Sequence, residues 1–177
     1  MRLPTEKARL YPFITDILSS FPNLRSFHST PDGILLLAQT RNPHLRSLHV
    51  TGKNNTHQVL SSVVSILEST CDLEDLHLWL GPDVHRDQHS IEVDIVQALP
   101  STIRTLRLVG NHLFRRSSLL NYLRSERSTS LTYVRITRYL DRGFFVDDEK
   151  TKDEVEVEDL CRSGGARLKW TDEWYYW

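Results

Sequence analysis

The sequence is poor in the residues that mark most specialised protein classes. Its 177 residues include two cysteines, seven glycines, seven prolines and one methionine. Two cysteines are too few for a secreted disulfide scaffold. Cys71 and Cys161 each lie beside a leucine-containing apolar segment, so both are expected to be reduced and mostly buried. That chemistry fits a cytoplasmic or nuclear protein, although one disulfide stays compatible with the sequence. No apolar run approaches the ~18 residues of a membrane span; the longest is Ile34-Leu35-Leu36-Leu37-Ala38. The start, Met1-Arg2-Leu3-Pro4-Thr5-Glu6, has no apolar signal core. No G-x-G-x-x-G or G-x-x-x-x-G-K-[ST] phosphate loop occurs, nor any G-x-S-x-G, H-E-x-x-H or C-x-x-C. No cofactor is therefore expected. The net charge of −1 argues against a general nucleic-acid binder, which is usually strongly basic.

What the chain does have is leucine, 26 of them, within a globular composition of 39% apolar and 25% charged residues. The leucines follow a pattern. Leu45-Arg46-Ser47-Leu48-His49-Val50, Leu73-Glu74-Asp75-Leu76-His77-Leu78 and Ile103-Arg104-Thr105-Leu106-Arg107-Leu108 all read L-x-x-L-x-L with apolar substitutions. Leu131-Thr132-Tyr133-Val134-Arg135-Ile136 follows the same pattern, and Leu24-Arg25-Ser26-Phe27-His28-Ser29 is a weaker first copy. The steps between first positions are 21, 28, 30 and 28 residues. Leucine-rich repeats have this motif at a period of about 20–29 residues.

Helix-like segments separate the copies. Pro12 opens a run with Phe13, Ile14, Ile17 and Leu18 at helical spacing. Asp32 is placed to cap Ile34–Ala38, and Asn55 or Thr56 to cap Val59, Leu60, Val63, Val64 and Leu67. Ile91, Ile95, Val96 and Leu99 form another stripe, and Leu119, Leu120 and Leu123 a last one opened by Ser117 or Ser118. The expected fold is one α/β leucine-rich-repeat solenoid of about five to six repeats. Parallel strands would line the concave face and helices the convex one. Its expected parts are an N-terminal helical cap over 1–20, repeats over 21–140, and an irregular acidic segment with an aromatic cap over 141–177. Within that last part, Glu154-Val155-Glu156-Val157-Glu158 suits a hairpin strand or the start of a helix running to Cys161. Gly164-Gly165 should stop it, and Arg167-Leu168-Lys169-Trp170 reads as a strand.

These residues resemble the repeat region of fungal F-box/leucine-rich-repeat proteins. The resemblance lies in Phe21-Pro22-Asn23-Leu24-Arg25-Ser26, in Asn42-Pro43-His44-Leu45-Arg46-Ser47-Leu48-His49-Val50 and in Cys71-Asp72-Leu73-Glu74-Asp75-Leu76-His77-Leu78. It also includes the stretch from Leu160-Cys161-Arg162 to Leu168-Lys169-Trp170. It covers roughly residues 21–170. What it implies is a substrate-receptor role in cullin-type ubiquitin ligases. Leu3-Pro4-Thr5-Glu6 looks like an F-box opening, but the first repeat strand near Leu24 leaves no room for the rest of a three-helix module. Direct binding of the ligase adaptor is therefore not expected.

Three functional readings follow. The first is a non-catalytic scaffold that recognises another protein, acidic or phosphorylated, on its concave face. Strand side chains alternate, so the third and fifth motif positions should face outward. The fifth positions are His28, His49, His77, Arg107 and Arg135; the third include Asp75 and Tyr133, and Trp79 lies one step beyond His77. The second reading is a metal-dependent enzyme built on Asp83, His85, Asp87 and His89, whose alternating spacing could aim at one cation. The third is an anion or nucleic-acid binder using the His/Arg row. A separate asymmetry bears on the first reading. Asp147 to Asp159 holds eight acids against two lysines, a net −6 that leaves +5 elsewhere, so this segment is a candidate internal cover for the basic row.

Overall fold

The computed structural model describes residues 23–40, 44–52, 56–81, 93–110, 113–137 and 151–171. Six strands form one sheet: β1 (Ser26–Ser29), β2 (Ser47–Gly52), β3 (Asp75–Leu80), β4 (Thr105–Val109), β5 (Tyr133–Thr137) and β6 (Arg167–Thr171). All pairings are parallel and the spatial order is the chain order, β1 to β6. Parallel neighbours need a crossover. Four described helices serve as crossovers: α1 (Pro31–Leu37), α2 (His57–Ser69), α3 (Arg116–Arg124) and α4 (Lys152–Ser163). The protein is thus an α/β fold with an all-parallel sheet. Its strand order never reverses, so it lacks the switch-point crevice where doubly wound sheets bind nucleotides.

The register explains the leucine pattern. Leu48 pairs with Leu76, Leu76 with Leu106 and Leu106 with Val134. One position-two carbonyl in each unit takes two amides from the next. Arg25 C=O accepts Arg46 N–H (2.7 Å) and Ser47 N–H (3.0 Å), and Arg46 C=O accepts Glu74 and Asp75 N–H (both 2.9 Å). Glu74 C=O accepts Arg104 (2.8 Å) and Thr105 (3.0 Å), and Arg104 C=O accepts Thr132 (2.8 Å) and Tyr133 (3.1 Å). This repeated clamp fixes the phase of each strand. Motif positions one, four and six then all point the same way, and from β2 to β5 every one of them is buried. They join Leu60, Val63 and Leu67 of α2 and Leu119 and Leu123 of α3 in a single core, so the helices cover one face of the sheet.

The helix starts differ in detail from the sequence expectation. Thr30, not Asp32, is the N-cap of α1, because Pro31 occupies the first turn. Thr56 caps α2 by accepting Val59 N–H. Arg115, rather than a serine, precedes α3. Around Ile95–Ala98 the expected helix is only a 3-10 turn capped by Asp94. The segment expected to be irregular is ordered over 151–171. There α4 opens on a reciprocal capping box between Thr151 and Glu154. It closes where Gly165, at φ 76°, puts its N–H on Arg162 C=O and lets Ala166 N–H reach Cys161 C=O. The hairpin alternative for 154–158 is therefore excluded. Cys161 is buried, and burial pushes its thiol up to about 11. Cys71 is exposed, contrary to expectation, because it lies in the turn after α2. Neither cysteine is in a disulfide.

Two predictions follow from this packing. Leu76→Ala and Leu106→Ala each remove a fully buried side chain of a central strand, and each should cost about 2–5 kcal/mol in urea unfolding. Unchanged midpoints would contradict the core assignment. The two positive-φ glycines should separate in the same assay. Gly165→Ala meets no neighbouring atom and should cost only the ~1–2 kcal/mol of a left-handed alanine. Gly110→Ala, at φ 139°, would place its Cβ 2.1 Å from Leu80 O and should be far more damaging.

Candidate functional site

The outward positions of the sheet form straight rows on the face away from the helices. The register aligns His28, His49, His77, Arg107, Arg135 and Lys169 across all six strands. At about 4.8 Å per strand this row spans roughly 24 Å. Ser26, Ser47, Asp75, Thr105, Tyr133 and Arg167 form the parallel row beside it. All eight residues singled out from the sequence (His28, His49, Asp75, His77, Trp79, Arg107, Tyr133 and Arg135) lie on this face. His28 is exposed, while the other seven are half-buried because neighbouring side chains shield one another.

The histidines stack. Ring centres of His28 and His49 are 4.1 Å apart, those of His49 and His77 5.3 Å, and His77 lies 6.5 Å from Trp79. Asp75 sits against this stack. Its Oδ2 is 2.7 Å from His49 Nε2 and accepts the Ser47 hydroxyl at 3.3 Å. Its Oδ1 and the Nε2 of His77 are both buried with no hydrogen-bond partner among the described residues. Burial holds the His77 pKa below its usual 6.5, His49, Arg107 and Arg135 push it the same way, and Asp75 opposes them.

The other half of the face is cationic. The Arg107 guanidinium lies 5.5 Å from the Tyr133 ring centre and that of Arg135 6.0 Å from Trp79, within cation–π range. Arg135 Nε donates to the Thr171 hydroxyl at 2.8 Å. Among the described outward positions of β4 to β6, Arg107, Arg135, Arg167 and Lys169 are the charged residues, and none is an acid. Arg167 and Lys169 extend the row beyond what the motif reveals. Their strand was readable, but its phase was not, since Gly165 and Ala166 occupy positions filled by leucine or polar residues in other copies.

The acidic segment does not cover this row where it is described. Asp153 pairs with Arg116 at 3.2 Å, Glu156 pairs with Arg124, Glu154 caps α4 and Glu158 accepts the Trp170 indole N–H at 2.8 Å. These contacts tie α4 to α3 and to the helix-covered side of β6. The metal-site candidate Asp83 to His89, the Pro12–Leu18 run, and the aromatic residues 174–177 lie outside the described residues. Among those described, no group of three or more His, Cys, Asp or Glu side chains lies together as a metal site would. No protein-family model, curated protein or solved structure matches this chain.

A depressed histidine pKa has a thermodynamic consequence. Between the folded and unfolded pKa values the unfolded chain binds the extra proton, so acid favours unfolding. The stability attached to neutral His77 is full above about pH 6.5 and is lost as pH falls from there through the folded value. Wild type should therefore lose more unfolding free energy between pH 7.5 and 5 than His77→Gln. Identical losses in urea titrations would contradict this environment for the ring.

Proposed function

We propose that the chain is a leucine-rich-repeat scaffold that recognises an acidic or phosphorylated segment of another protein on its open sheet face. The observation that carries this reading is the charge of that face from β4 to β6, where four cations stand with no acid among the described outward residues. The sheet holds these side chains on a frame fixed by the backbone, so a partner meets them without ordering a loop. Trp79 and Tyr133 supply flat apolar area beside the guanidiniums, a composition enriched at interface centres. On this reading the protein is non-catalytic and works in the cytoplasm or nucleus. It is related to F-box/leucine-rich-repeat substrate receptors through its repeats and meets its partner without itself engaging a ligase adaptor.

The test is fluorescence anisotropy with four labelled probes: a hexa-aspartate peptide, a phosphoserine peptide, its unphosphorylated serine counterpart and a single-stranded oligonucleotide of equal charge. The two acidic peptides should bind more tightly than the serine peptide and weaken with added salt. Arg107→Ala/Arg135→Ala should lose about 16-fold, since each unit charge near 5 Å contributes about fourfold in water. Arg162→Ala, on α4 and paired with Asp159, should bind as wild type does. Equal binding of the serine peptide would overturn the reading, and an oligonucleotide that outcompetes both acidic peptides would replace it with nucleic-acid binding.

A further inference from the structure

The edges of the sheet differ from its interior and from each other. Among the described residues, β1 pairs only with β2 and β6 only with β5. The fourth motif position is 0% exposed on β2 to β5, at Leu48, Leu76, Leu106 and Val134. Its counterparts on the edge strands, Phe27 and Leu168, are only half-buried. Outward, β1 offers Ser26 and His28, whereas β6 offers Arg167 and Lys169, both exposed. The backbone of β6 also has a fixed phase. Arg167 N–H donates to Thr132 C=O at 2.9 Å, so Arg167 directs its main-chain groups toward β5. Successive residues of a parallel strand alternate in this respect. The N–H and C=O of Leu168 therefore lie in the sheet plane and point away from β5, while its side chain faces the helix-covered side.

We propose that the outer edge of β6 binds an extended acid–apolar–acid segment of another protein as a seventh, antiparallel strand. Antiparallel pairing is the more stable per residue, and it lets one residue opposite Leu168 exchange both hydrogen bonds with it. That residue shares the face of Leu168, so an apolar side chain there covers what Leu168 leaves exposed. Its two neighbours then stand opposite Arg167 and Lys169, about 4.5–5.5 Å away, where carboxylates complement the charge. Charged edge strands resist pairing with their own kind, which argues against a second copy of this chain. Two β6 strands paired about Leu168 would set Arg167 against Lys169, and β1 brings no acid in Ser26–Ser29. The chain's own Glu154-Val155-Glu156-Val157-Glu158 has the right alternation, but its capping box commits it to α4. The inference goes beyond the recognition reading above, because it uses main-chain bonds at the sheet edge rather than side chains of the open face.

The probe is a labelled peptide with blocked ends, Thr-Val-Glu-Val-Glu-Val-Thr, followed by fluorescence anisotropy and by amide hydrogen exchange of the full chain. Binding should weaken with added salt and slow exchange at the Leu168 amide. N-methylating the central valine removes the N–H that Leu168 C=O accepts. It should cost at least about fivefold, the worth of one hydrogen bond. A peptide of the same composition with its two acids adjacent should bind more weakly. Arg167→Ala/Lys169→Ala should lose about 16-fold, at about fourfold in water for each unit charge near 5 Å. Arg107→Ala, which the open-face reading needs, should cost the edge peptide less than about twofold. Arg107 stands three strand spacings, about 14 Å, from an added strand, beyond the ~10 Å screening length at 0.1 M salt. Equal binding of the N-methylated peptide, or unchanged exchange at Leu168, would overturn the strand addition. A loss in Arg107→Ala as large as in the β6 variant would also overturn it, and would leave the recognition reading standing. Edge binding that persists while hexa-aspartate shows no dependence on the arginines would keep this inference and remove that reading. A dimer of the chain that the peptide dissociates would give the edge to a second copy instead.

Discussion

The layout of the open face depends on one constraint, the shared register of six parallel strands. Parallel pairing alone would allow a strand to slip by one residue, and a slip would exchange its two faces. Here two features forbid it. The position-two carbonyls clamp two amides of the next unit, and the buried positions are occupied by leucine, valine or isoleucine on every central strand. A slipped β4 would bury Thr105 and Arg107 and expose Leu106 and Leu108. The energy that holds the core in phase is therefore the same energy that lines up the histidines, arginines and lysine outside.

That link explains why so much was legible. An L-x-x-L-x-L segment names its strand, its buried positions and its outward positions at once, and the copies name one another's register. His49 opposite His77 and Arg107 opposite Arg135 follow from counting along the chain. What was not legible arises where counting stops working. The β6 unit has glycine and alanine where other copies have leucine and a polar residue, so Arg167 and Lys169 could not be assigned to rows. The pairing of Asp75 with His49 depends on side-chain geometry between strands rather than on spacing.

Local chemistry accounts for the remaining differences. The Glu-Val alternation at 154–158 satisfies a strand template, but Thr151 and Glu154 stand at capping-box spacing, and two reciprocal bonds commit the backbone to a helix before the alternation is read. Val157 then faces the core while Val155 stays exposed, so the apparent alternation splits between two sides of a helix. Its acids are used in the same way. Asp153 and Glu156 lie one turn apart and meet Arg116 and Arg124 of α3, which keeps this negative charge on the helix-covered side of the sheet.

Segregating the charge has a physical consequence for the open face. Exposed ion pairs add little stability, a median near 0–1 kcal/mol, so pairing α4 with α3 is a weak reason for the acids to be there. The same acids placed beside β4 to β6 would have neutralised Arg107, Arg135, Arg167 and Lys169. With them held on the opposite side, the low-dielectric core lies between the acids of α4 and the outward cations of β4 to β6. Asp75 is the one acid among the described outward residues, and it is engaged by His49 and Ser47 at the border between the histidine half and the arginine half. Its position puts the one described outward carboxylate beside His49 and several strands away from Arg167 and Lys169, so the outward side chains of the sheet itself offset the charge at the β6 end least.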